Sequence, residues 1–287
     1  MAILEIINLS HSYSGNTPFV NDAVSNLSLT IEKGEIIGII GHTGSGKSTL
    51  VQHLNGLLKP TKGEILFKDE DIWKYPKQIR KIRSKVGLVF QYPEYQLFEE
   101  TVFDDIAFGP KQMGLSEEQI KTSVEDICRM VGVKAEYLEK SPFDLSGGEK
   151  RRVAIAGVMA MKPEIIIFDE PTAGLDPRGR EEIIGMIKKY RKETGATVII
   201  ISHSMEDMAE LTDRILVMNK GKAVMFDTPD KVFADAEKLK EIGLNVPIVT
   251  KVFMTLRSMG VPVSDKVFTL GDAVAALDEL KGGGPNA

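Results

Sequence analysis

The segment Gly41-His42-Thr43-Gly44-Ser45-Gly46-Lys47-Ser48, followed by Thr49, decides the fold of this chain. The apolar run 35–40 before it is typical of a buried parallel strand, and residues 49–55 after it are typical of a helix. A glycine-rich turn in this context points successive backbone N–H groups inward, and the helix N-terminus adds its dipole. The sequence therefore predicts a phosphate-binding loop between a strand and a helix.

The end of this loop carries the chemistry that a nucleoside triphosphate requires. The Lys47 ammonium can reach the β- and γ-phosphates, and the Ser48 hydroxyl can bind Mg²⁺. An ordinary glycine-rich turn that only closes a strand–helix unit is the alternative, and the flanking strand and helix favour the phosphate site. We expect nucleotide contacts from Gly41, His42, Thr43, Gly44, Ser45, Gly46, Lys47, Ser48 and Thr49.

The bulk composition limits the class of protein. A chain of 287 residues is long enough for one large domain with an appendix, or for two domains. No apolar run approaches the ~18 residues of a membrane-spanning helix, and residues 1–5 lack the features of a secretory signal, so we expect a cytosolic chain. The single cysteine, Cys128, excludes an internal disulfide and a multi-cysteine metal site. A net charge of −5 argues against a general nucleic-acid binder.

Strand and helix patterns predict an α/β chain with a strand-rich start. Strands are predicted near residues 3–7, 24–31, 36–40, 64–67, 85–90, 164–168 and 197–201, with a hairpin over 214–226. A helical stretch over about 102–161 interrupts the alternation of strands and helices, which predicts an inserted helical subdomain.

From residue 228 the pattern is helical again. Two apolar stripes are expected to pack on the core or on a partner: Val249, Val252, Phe253 and Leu256, and then Leu270, Val274 and Leu277. The predicted boundaries are 1–230 for the nucleotide-binding domain with its helical subdomain at about 91–161, 231–281 for a C-terminal helical extension, and 282–287 for a disordered tail.

Two adjacent acids, Asp169 and Glu170, follow the apolar strand 165–168. In a parallel sheet this strand is expected to deliver both carboxylates beside the phosphate loop. Because adjacent residues leave a strand in different directions, Asp169 is expected to hold Mg²⁺ and Glu170 to polarise the attacking water. An acidic N-cap for the next helix is the alternative.

Residues 145–149, Leu-Ser-Gly-Gly-Glu, precede a long helix. Ser146 and Glu149 have the spacing of a capping box, which is a purely structural interpretation. A serine hydroxyl and the amides of Gly147 and Gly148 at a helix N-terminus also make an anion site. Because one phosphate loop already serves one nucleotide, this second site suggests contact with a nucleotide held by another subunit.

Three further side chains lie at predicted strand ends: Tyr13 between the first two strands, Gln91, and His203. Tyr13 can stack on a nucleotide base, or it can be a surface tyrosine. His203 can reach a γ-phosphate or orient water, and Gln91 can sense Mg²⁺ and water. Spacing alone leaves a plain structural role open for each of them.

Over about residues 1–230 these motifs together resemble the nucleotide-binding subunit of an ATP-binding-cassette transporter. In the family's order they are Walker A at 41–48, the Q-loop at Gln91, the signature at 145–149, Walker B ending in Asp169 and Glu170, the D-loop at 173–176, and the switch His203. The resemblance implies a P-loop NTPase (RecA-like) core with an N-terminal antiparallel β subdomain and an inserted α-helical subdomain. It also implies ATP and Mg²⁺ as ligands, adenine stacking by Tyr13, and γ-phosphate sensing by Gln91 and His203. It further implies a head-to-tail dimer that holds two ATP between each Walker A and the opposing signature.

A narrower resemblance involves residues 90–98 and 101–109, which are similar to the cobalt- and vitamin-type ATPases of energy-coupling-factor transporters. Residues 92–95, Tyr-Pro-Glu-Tyr, look like the second, A-prime subunit, and residues 243–260 resemble the family's C-terminal extension. The implied partners are a paralogous ATPase subunit, with a homodimer as the alternative, a transmembrane T subunit docking near Gln91 and Glu94, and a substrate-binding S subunit. Glu94 stands where the family pairs an acid with an arginine of the T subunit, and plain solvation is the other interpretation.

These resemblances imply a peripheral subunit on the cytoplasmic face of a membrane, powering uptake of vitamins or transition-metal ions, with no nucleic-acid partner. Other importers or exporters, and cassette ATPases outside transport, are the alternatives. A DNA-acting cassette would need a long coiled-coil insertion between residues 48 and 145, and a ribosome-acting one usually carries two cassettes. A GTPase would need Asn-Lys-x-Asp, and residues 219–222 lack the aspartate. Glu170 disfavours a scaffold without catalysis.

Overall fold

The computed structural model describes residues 1–13 and 21–282. The strands are β1 (Ala2–Tyr13), β2 (Asn21–Glu32), β3 (Ile36–Ile40), β4 (Lys62–Phe67), β5 (Glu70–Asp71), β6 (Val86–Val89), β7 (Ile165–Asp169), β8 (Thr197–Ile201), β9 (Arg214–Asn219) and β10 (Lys222–Asp227). The helices are α1 (Lys47–Leu54), α2 (Ile79–Lys85), α3 (Val102–Gln112), α4 (Glu117–Val131), α5 (Gly147–Met159), α6 (Pro177–Thr194), α7 (Met205–Leu211), α8 (Pro229–Ala234), α9 (Ala236–Glu241), α10 (Ile248–Ser258) and α11 (Leu270–Gly282).

The first sheet is antiparallel and four-stranded, in the order β2-β1-β4-β5. Both long strands extend beyond their predictions, because the polar residues that end the apolar pattern still form ladder pairs. Tyr13 pairs with Asn21 and is therefore the last residue of β1 instead of lying between strands. The predicted N-terminal antiparallel subdomain is confirmed by this sheet.

The second sheet has six strands in the order β10-β9-β3-β8-β7-β6. All neighbours are parallel except β10, which pairs antiparallel with β9 as the predicted hairpin. The sequence predicts the carboxylates that end β7 beside the phosphate loop, and the fold adds that β8 lies between β7 and the loop strand β3. The nearest parallel neighbour of the loop strand on this side therefore leads to His203.

Strand β3 shows why the central strands have nearly continuous apolar sequences. Ile37 and Ile39 face a core shared with the first sheet and α1, whereas Ile36 and Ile40 face a core shared with α3 to α7. Because alternate residues point to opposite faces, both faces of β3 are buried. The predicted α/β class is confirmed, with layers on both sides of the second sheet.

The inserted helices α3, α4 and α5 pack on one another between β6 and β7. The predicted capping box opens α4, since the Ser116 N–H donates to Gln119 Oε1 at 3.0 Å and the Gln119 N–H donates to Ser116 Oγ at 3.3 Å. The chain enters this subdomain from the carboxyl end of β6, near Gln91, and leaves it through α5 to the amino end of β7 at Ile165.

The C-terminal extension contains α8 to α11. Phe253 on α10 packs with Val267 and with Ala273 and Ala276 of α11. The stripe predicted on α11 does not pack within the chain, because its three members remain exposed: Leu270, Val274 and Leu277. Small alanines form the packed face of α11 instead. Gly282 ends α11, and the other residues of the predicted tail lie outside the described residues. No helix of the described part of the chain is both long and apolar enough to span a membrane.

Candidate functional site

The phosphate loop, residues 41–48, connects β3 to α1 as predicted. Gly46 is the N-cap of α1 with φ of 100°, a conformation that side-chain-bearing residues rarely adopt. The buried Lys47 ammonium donates to the backbone oxygens of Gly41 at 2.7 Å and His42 at 3.1 Å. Burial lowers the pKa of Lys47, while the charges of nearby carboxylates oppose the change. The lysine is therefore held inside the curve of the loop.

The loop curls tightly against the rest of the chain. A Cβ atom on Gly41 would lie 2.5 Å from the Met218 carbonyl oxygen, and one on Gly46 would overlap the Ala23 carbonyl oxygen. The Ser45 hydroxyl is buried and has no hydrogen-bond partner within the described residues. A cradle that excludes side chains and holds an unused hydroxyl fits a bound polyphosphate.

Asp169 ends β7, and its carboxylate lies near the Ser48 hydroxyl across the intervening strand. Burial raises the pKa of Asp169, although the Ser48 hydroxyl and the Lys47 charge oppose that rise. A neighbouring hydroxyl and carboxylate are oxygen ligands of the type that Mg²⁺ takes beside a phosphate. The predicted pairing of Ser48 with Asp169 is thus brought together by the fold.

Glu170 lies just beyond β7 with a left-handed backbone, φ of 52°. Its N–H donates to the Ile201 carbonyl oxygen at 3.0 Å, which fixes the residue against β8. Burial raises the pKa of Glu170 to about 7, and the neighbouring Asp169 charge adds to this rise. A strained, buried acid with a pKa near neutrality is typical of a general base.

His203 follows β8, and its Nε2 lies 3.2 Å from Glu170 Oε1. Burial and the Lys47 charge lower the pKa of His203, so a neutral ring is favoured. Its side chain is still 57% exposed, which leaves room for a ligand. The strand order explains the contact, since β8 is the direct neighbour of both β3 and β7.

Gln91 follows β6, whose register with β7 pairs Val89 with Phe168 and so brings Gln91 level with Glu170. Its side chain is exposed and makes no hydrogen bond among the described residues.

Tyr13 lies at the opposite end of the site, where its hydroxyl is 3.2 Å from Thr49 Oγ1 and its ring is about half exposed. His11 contacts the Tyr13 ring edge-on at 4.8 Å. Tyr13 and His11 therefore border the site on the side of the phosphate loop.

The signature segment, residues 145–149, opens α5. The Ser146 N–H and hydroxyl donate to Glu149 Oε2 at 2.9 Å and 2.6 Å, and these bonds lower the pKa of Glu149 to about 2. A Cβ atom on Gly147 or Gly148 would meet nothing within 4 Å. No hydrogen bond or ion pair of the described residues joins this segment to the phosphate loop. The chain therefore presents the segment outward.

Glu94 differs from both of its sequence interpretations. It lies in the 3₁₀ helix Pro93–Gln96, and its carboxylate accepts from Arg151 Nε at 3.0 Å and Arg151 Nη2 at 2.7 Å. It is thus not simply solvated, because its carboxylate is bound by an arginine of the same chain. Arg151 was not predicted from the sequence, since it is hidden in the charged run 150–152. The available signal was its spacing from Ile155 and Met159, which places it on the buried stripe of α5.

The family model of ABC transporters matches residues 24–173. The chain is 54% identical over 275 residues to the energy-coupling factor transporter ATP-binding protein EcfA2 of Clostridium tetani, covering 96% of each protein. It is 52% identical over 278 residues to the protein of the same name from Clostridium perfringens, covering 96% of this chain and 98% of that protein.

Solved structures show the same similarity. CbiO1 from Clostridium perfringens, described as part of the ABC transporter complex CbiONQ, aligns with a TM-score of 0.74 at 38% identity, over 84% of this chain and 94% of that one. A dimeric ATP-binding cassette in a post-hydrolysis state, bound to ADP and phosphate, aligns with a TM-score of 0.71 at 28% identity, over 79% of this chain and 98% of that one.

The matches confirm both resemblances seen in the sequence, because the similarity to EcfA2 proteins extends through the C-terminal extension and not only through the family model. They also agree with the second-subunit pattern at residues 92–95. The chain therefore belongs to the ATPases of the ABC transporter family, among the energy-coupling factor transporter ATP-binding proteins.

Proposed function

We propose that this chain hydrolyses ATP to power a membrane importer of micronutrients, either vitamins or transition-metal ions. ATP binding closes a dimer of ATPase subunits, and hydrolysis reopens it. One observation carries the proposal: the chain has one complete, inward-facing phosphate cradle and a second segment in which Ser146 and Glu149 cap helix α5 while Gly147 and Gly148 have open space around them.

The nucleotide is assigned to the phosphate loop and its surroundings. Tyr13 stacks on the adenine, while the loop amides and Lys47 hold the phosphates. Ser48 and Asp169, with Gln91, hold Mg²⁺, which neutralises charge on the phosphate oxygens when bound. The position of Asp169 near the Ser48 hydroxyl and the unused Ser45 hydroxyl support this assignment.

Hydrolysis is assigned to Glu170 and His203. Glu170 takes a proton from the attacking water, for which its pKa of about 7 is suited. His203 lies 3.2 Å from that carboxylate and orients it toward the reacting phosphate. Gln91, level with Glu170 in the sheet register, reports the presence of Mg²⁺ and water to the helical subdomain.

The signature segment completes a site on a second subunit. Its glycines have open space where side chains would fit, so packing within the chain gives no reason for two glycines there. Close approach of a phosphate to exposed amides at a helix N-terminus does give a reason. A paralogous ATPase, as a heterodimer, is the proposed partner, and two ATP molecules lie between opposing loop and signature segments.

The membrane partner is proposed to be a T subunit that docks near Gln91 and Glu94, and an S subunit binds the transported solute. Support comes from three exposed aromatic side chains beside Glu94: Tyr95 at 84%, Phe98 at 60% and Phe108 at 40% exposure. Exposed aromatics of this kind are enriched at protein interfaces. The chain would then be peripheral on the cytoplasmic face of the membrane.

The Glu170→Gln substitution tests the assignment of the base, because it keeps the side-chain shape and removes proton acceptance. We expect ATP turnover to fall by about 10²–10⁴ while ATP binding is retained. Gel filtration with ATP should show a stable dimer. Glu181→Gln, an exposed acid on α6, is the control and should leave turnover unchanged. Wild-type turnover by Glu170→Gln would show that the base is wrongly assigned.

Purification of the tagged chain from membranes tests the transport function. We expect an integral membrane subunit and a second ATPase to copurify in fixed ratio. Copurification of ribosomes or DNA without a membrane subunit would reject the transport role and leave only the ATPase assignment.

A further inference from the structure

Arg151 is the most deeply buried arginine beside the site, with a side chain only 5% exposed. A buried guanidinium is destabilising unless its donors are paired. Nε and Nη2 form a bidentate pair with Glu94, at 3.0 Å and 2.7 Å. Burial raises the pKa of Glu94, but the hydrogen bonds from Arg151 outweigh this effect, so that the pKa of Glu94 is lowered overall. The pair is therefore ionised at neutral pH.

The remaining nitrogen of Arg151 binds the turn that follows the proposed base. Nη1 donates to the Ala173 carbonyl oxygen at 2.9 Å and lies 3.5 Å from that of Pro171. The Ala173 N–H in turn donates to the Glu170 carbonyl oxygen at 3.1 Å. One side chain thus connects α5 with the turn 171–174.

The same guanidinium lies 5.8 Å from the centre of the Tyr92 ring. Tyr92 has a left-handed backbone, φ of 52°, at the point where the chain leaves Gln91 for the 3₁₀ helix. A Cβ atom on Gly174 would lie 3.7 Å from the Tyr92 ring, so this ring also packs beside the turn. Three segments therefore meet at Arg151: the start of α5, residues 92–96, and the turn 171–174.

We propose that Arg151 is a positioning residue that fixes the signature segment, the Gln91 segment and the Glu170 turn in one arrangement. The inference rests on the proposed function, because these segments serve two different ATP molecules of the closed dimer. Arg151 touches neither ATP. Arg151 links these segments mechanically. When residues 92–96, which face the membrane partner, move, the turn 171–174 and the signature segment move with them.

A second arginine–glutamate pair provides a matched control. It lies at the amino edge of the six-stranded sheet, whereas Arg151 lies near the carboxyl edge. Arg214 binds Glu35 in the same bidentate way, at 3.0 Å and 2.6 Å, and donates to the Thr30 carbonyl oxygen at 2.9 Å. Its guanidinium also lies over an aromatic ring, 4.3 Å from the centre of Phe226. Because Arg214 begins β9, it lies at the amino edge of the sheet, away from the site.

The test is steady-state ATPase activity of the purified transporter complex, with kcat and KM measured separately. We expect Arg151→Met to lower kcat at least tenfold and to change KM less than twofold, because the phosphate loop is on other elements. Arg151→Lys should be intermediate, since an ammonium keeps the charge but cannot span the carboxylate and the carbonyls. Arg214→Met should lower Tm by a similar amount and leave kcat within twofold.

Glu94→Gln covers the case in which Arg151→Met does not fold, and we expect a threefold to tenfold loss of kcat from it. The variant that carries both Arg151→Met and Glu94→Gln should have a kcat no lower than that of Arg151→Met alone, because the two substitutions break the same ion pair. Equal kcat losses in the Arg151 and Arg214 variants, or a rise in KM without loss of kcat, would overturn the inference. Glu170→Gln is run in parallel: if it retains turnover, the assignment of Glu170 as the base in the proposed function fails, whereas an inactive Glu170→Gln beside a normal Arg151→Met rejects only the role of Arg151.

Discussion

Helices α1 and α5 both begin after a glycine-rich segment that offers backbone amides to an anion, yet the surroundings of the two segments differ. At the start of α1, Gly41 and Gly46 are pressed against backbone oxygens of Met218 and Ala23. At the start of α5, Gly147 and Gly148 face open space. The fold of this chain requires the first pair of glycines, whereas packing within the chain does not require the second pair.

Charge follows the same division. Beside α1, the acids Asp169 and Glu170 are partly buried, and burial raises the pKa of both. Beside α5, Glu149 is also partly buried, but its hydrogen bonds from Ser146 lower its pKa to about 2. This difference agrees with the proposal that the chain supplies the chemistry beside α1 and offers the start of α5 to a partner.

The largest effect in this comparison is expected from adding one methyl group to the phosphate loop. Gly46→Ala should weaken ATP binding by about 100-fold, equivalent to about 2.8 kcal/mol. A left-handed backbone and the clash with Ala23 each cost about 1–3 kcal/mol, so Tm should also fall by several degrees. Binding of a fluorescent ATP analogue and thermal unfolding provide the measurements. Gly44→Ala is the control, because Gly44 has φ of 81° but open space, which isolates strain from the clash.

An intermediate effect is expected at the other segment. Gly148→Ala should leave ATP binding by the single chain within twofold, and it should raise stability slightly, by about 0.5–1 kcal/mol, because alanine favours a helix. ATP turnover should nevertheless fall at least tenfold, since the methyl group blocks the approach of the partner's nucleotide. Gly185→Ala on the exposed face of α6 is the matched control and should keep full turnover. The comparison fails if Gly148→Ala destabilises the chain or leaves turnover unchanged.

The smallest effect is expected in the pH dependence of stability. Ionisation of Glu170 should destabilise the fold, whereas ionisation of Glu149 should stabilise it. The folded pKa of Glu170 is about 7, above its usual value of 4.5, so ionisation of Glu170 destabilises the fold as pH rises through this range. Glu170→Gln should therefore raise Tm more at pH 8 than at pH 5, by about 2–4 °C for each kcal/mol.

Glu149 has the opposite expectation. Its folded pKa of about 2 lies below its usual 4.5, so its contribution to stability is present above pH 4.5 and is lost as pH falls toward 2. Glu149→Gln should lower Tm slightly at pH 7, and the difference should vanish at low pH. Because Glu149 is only partly buried, salt should reduce the effect. Thermal unfolding from pH 3 to pH 8 measures both variants, and the same sign for both would contradict the comparison.

Much of the site could be predicted from the sequence because its parts are local. The phosphate loop, the acids after β7 and the serine before α5 each combine an element boundary with a specific residue type, and such boundaries are visible in apolar periodicity. The order of strands in the sheet is not local. For that reason the sequence did not show that β8 separates β7 from the loop strand β3, although Asp169 still lies near Ser48.

Two other features were left open by the sequence for a related reason. The apolar stripe on α11 was expected to pack on the core or on a partner; it stays exposed within the chain, and Ala273 and Ala276 pack on α10 instead. At Glu94 the sequence offered a partner's arginine or water, and the fold supplied Arg151 from a helix 57 residues later in the chain. In both places several partners satisfy the local pattern, and the choice depends on which elements meet in space.

By itself the sequence determined the chemistry: a phosphate loop, a pair of acids and an outward-facing serine-glycine segment, because these depend on residue type at element boundaries. Only the tertiary structure decided how the parts are connected, through the strand order that brings His203 to Glu170 and the buried Arg151 that joins three segments. The physical reason is that backbone conformation is set by neighbours along the chain, whereas the pairing of buried charges is set by packing between distant elements.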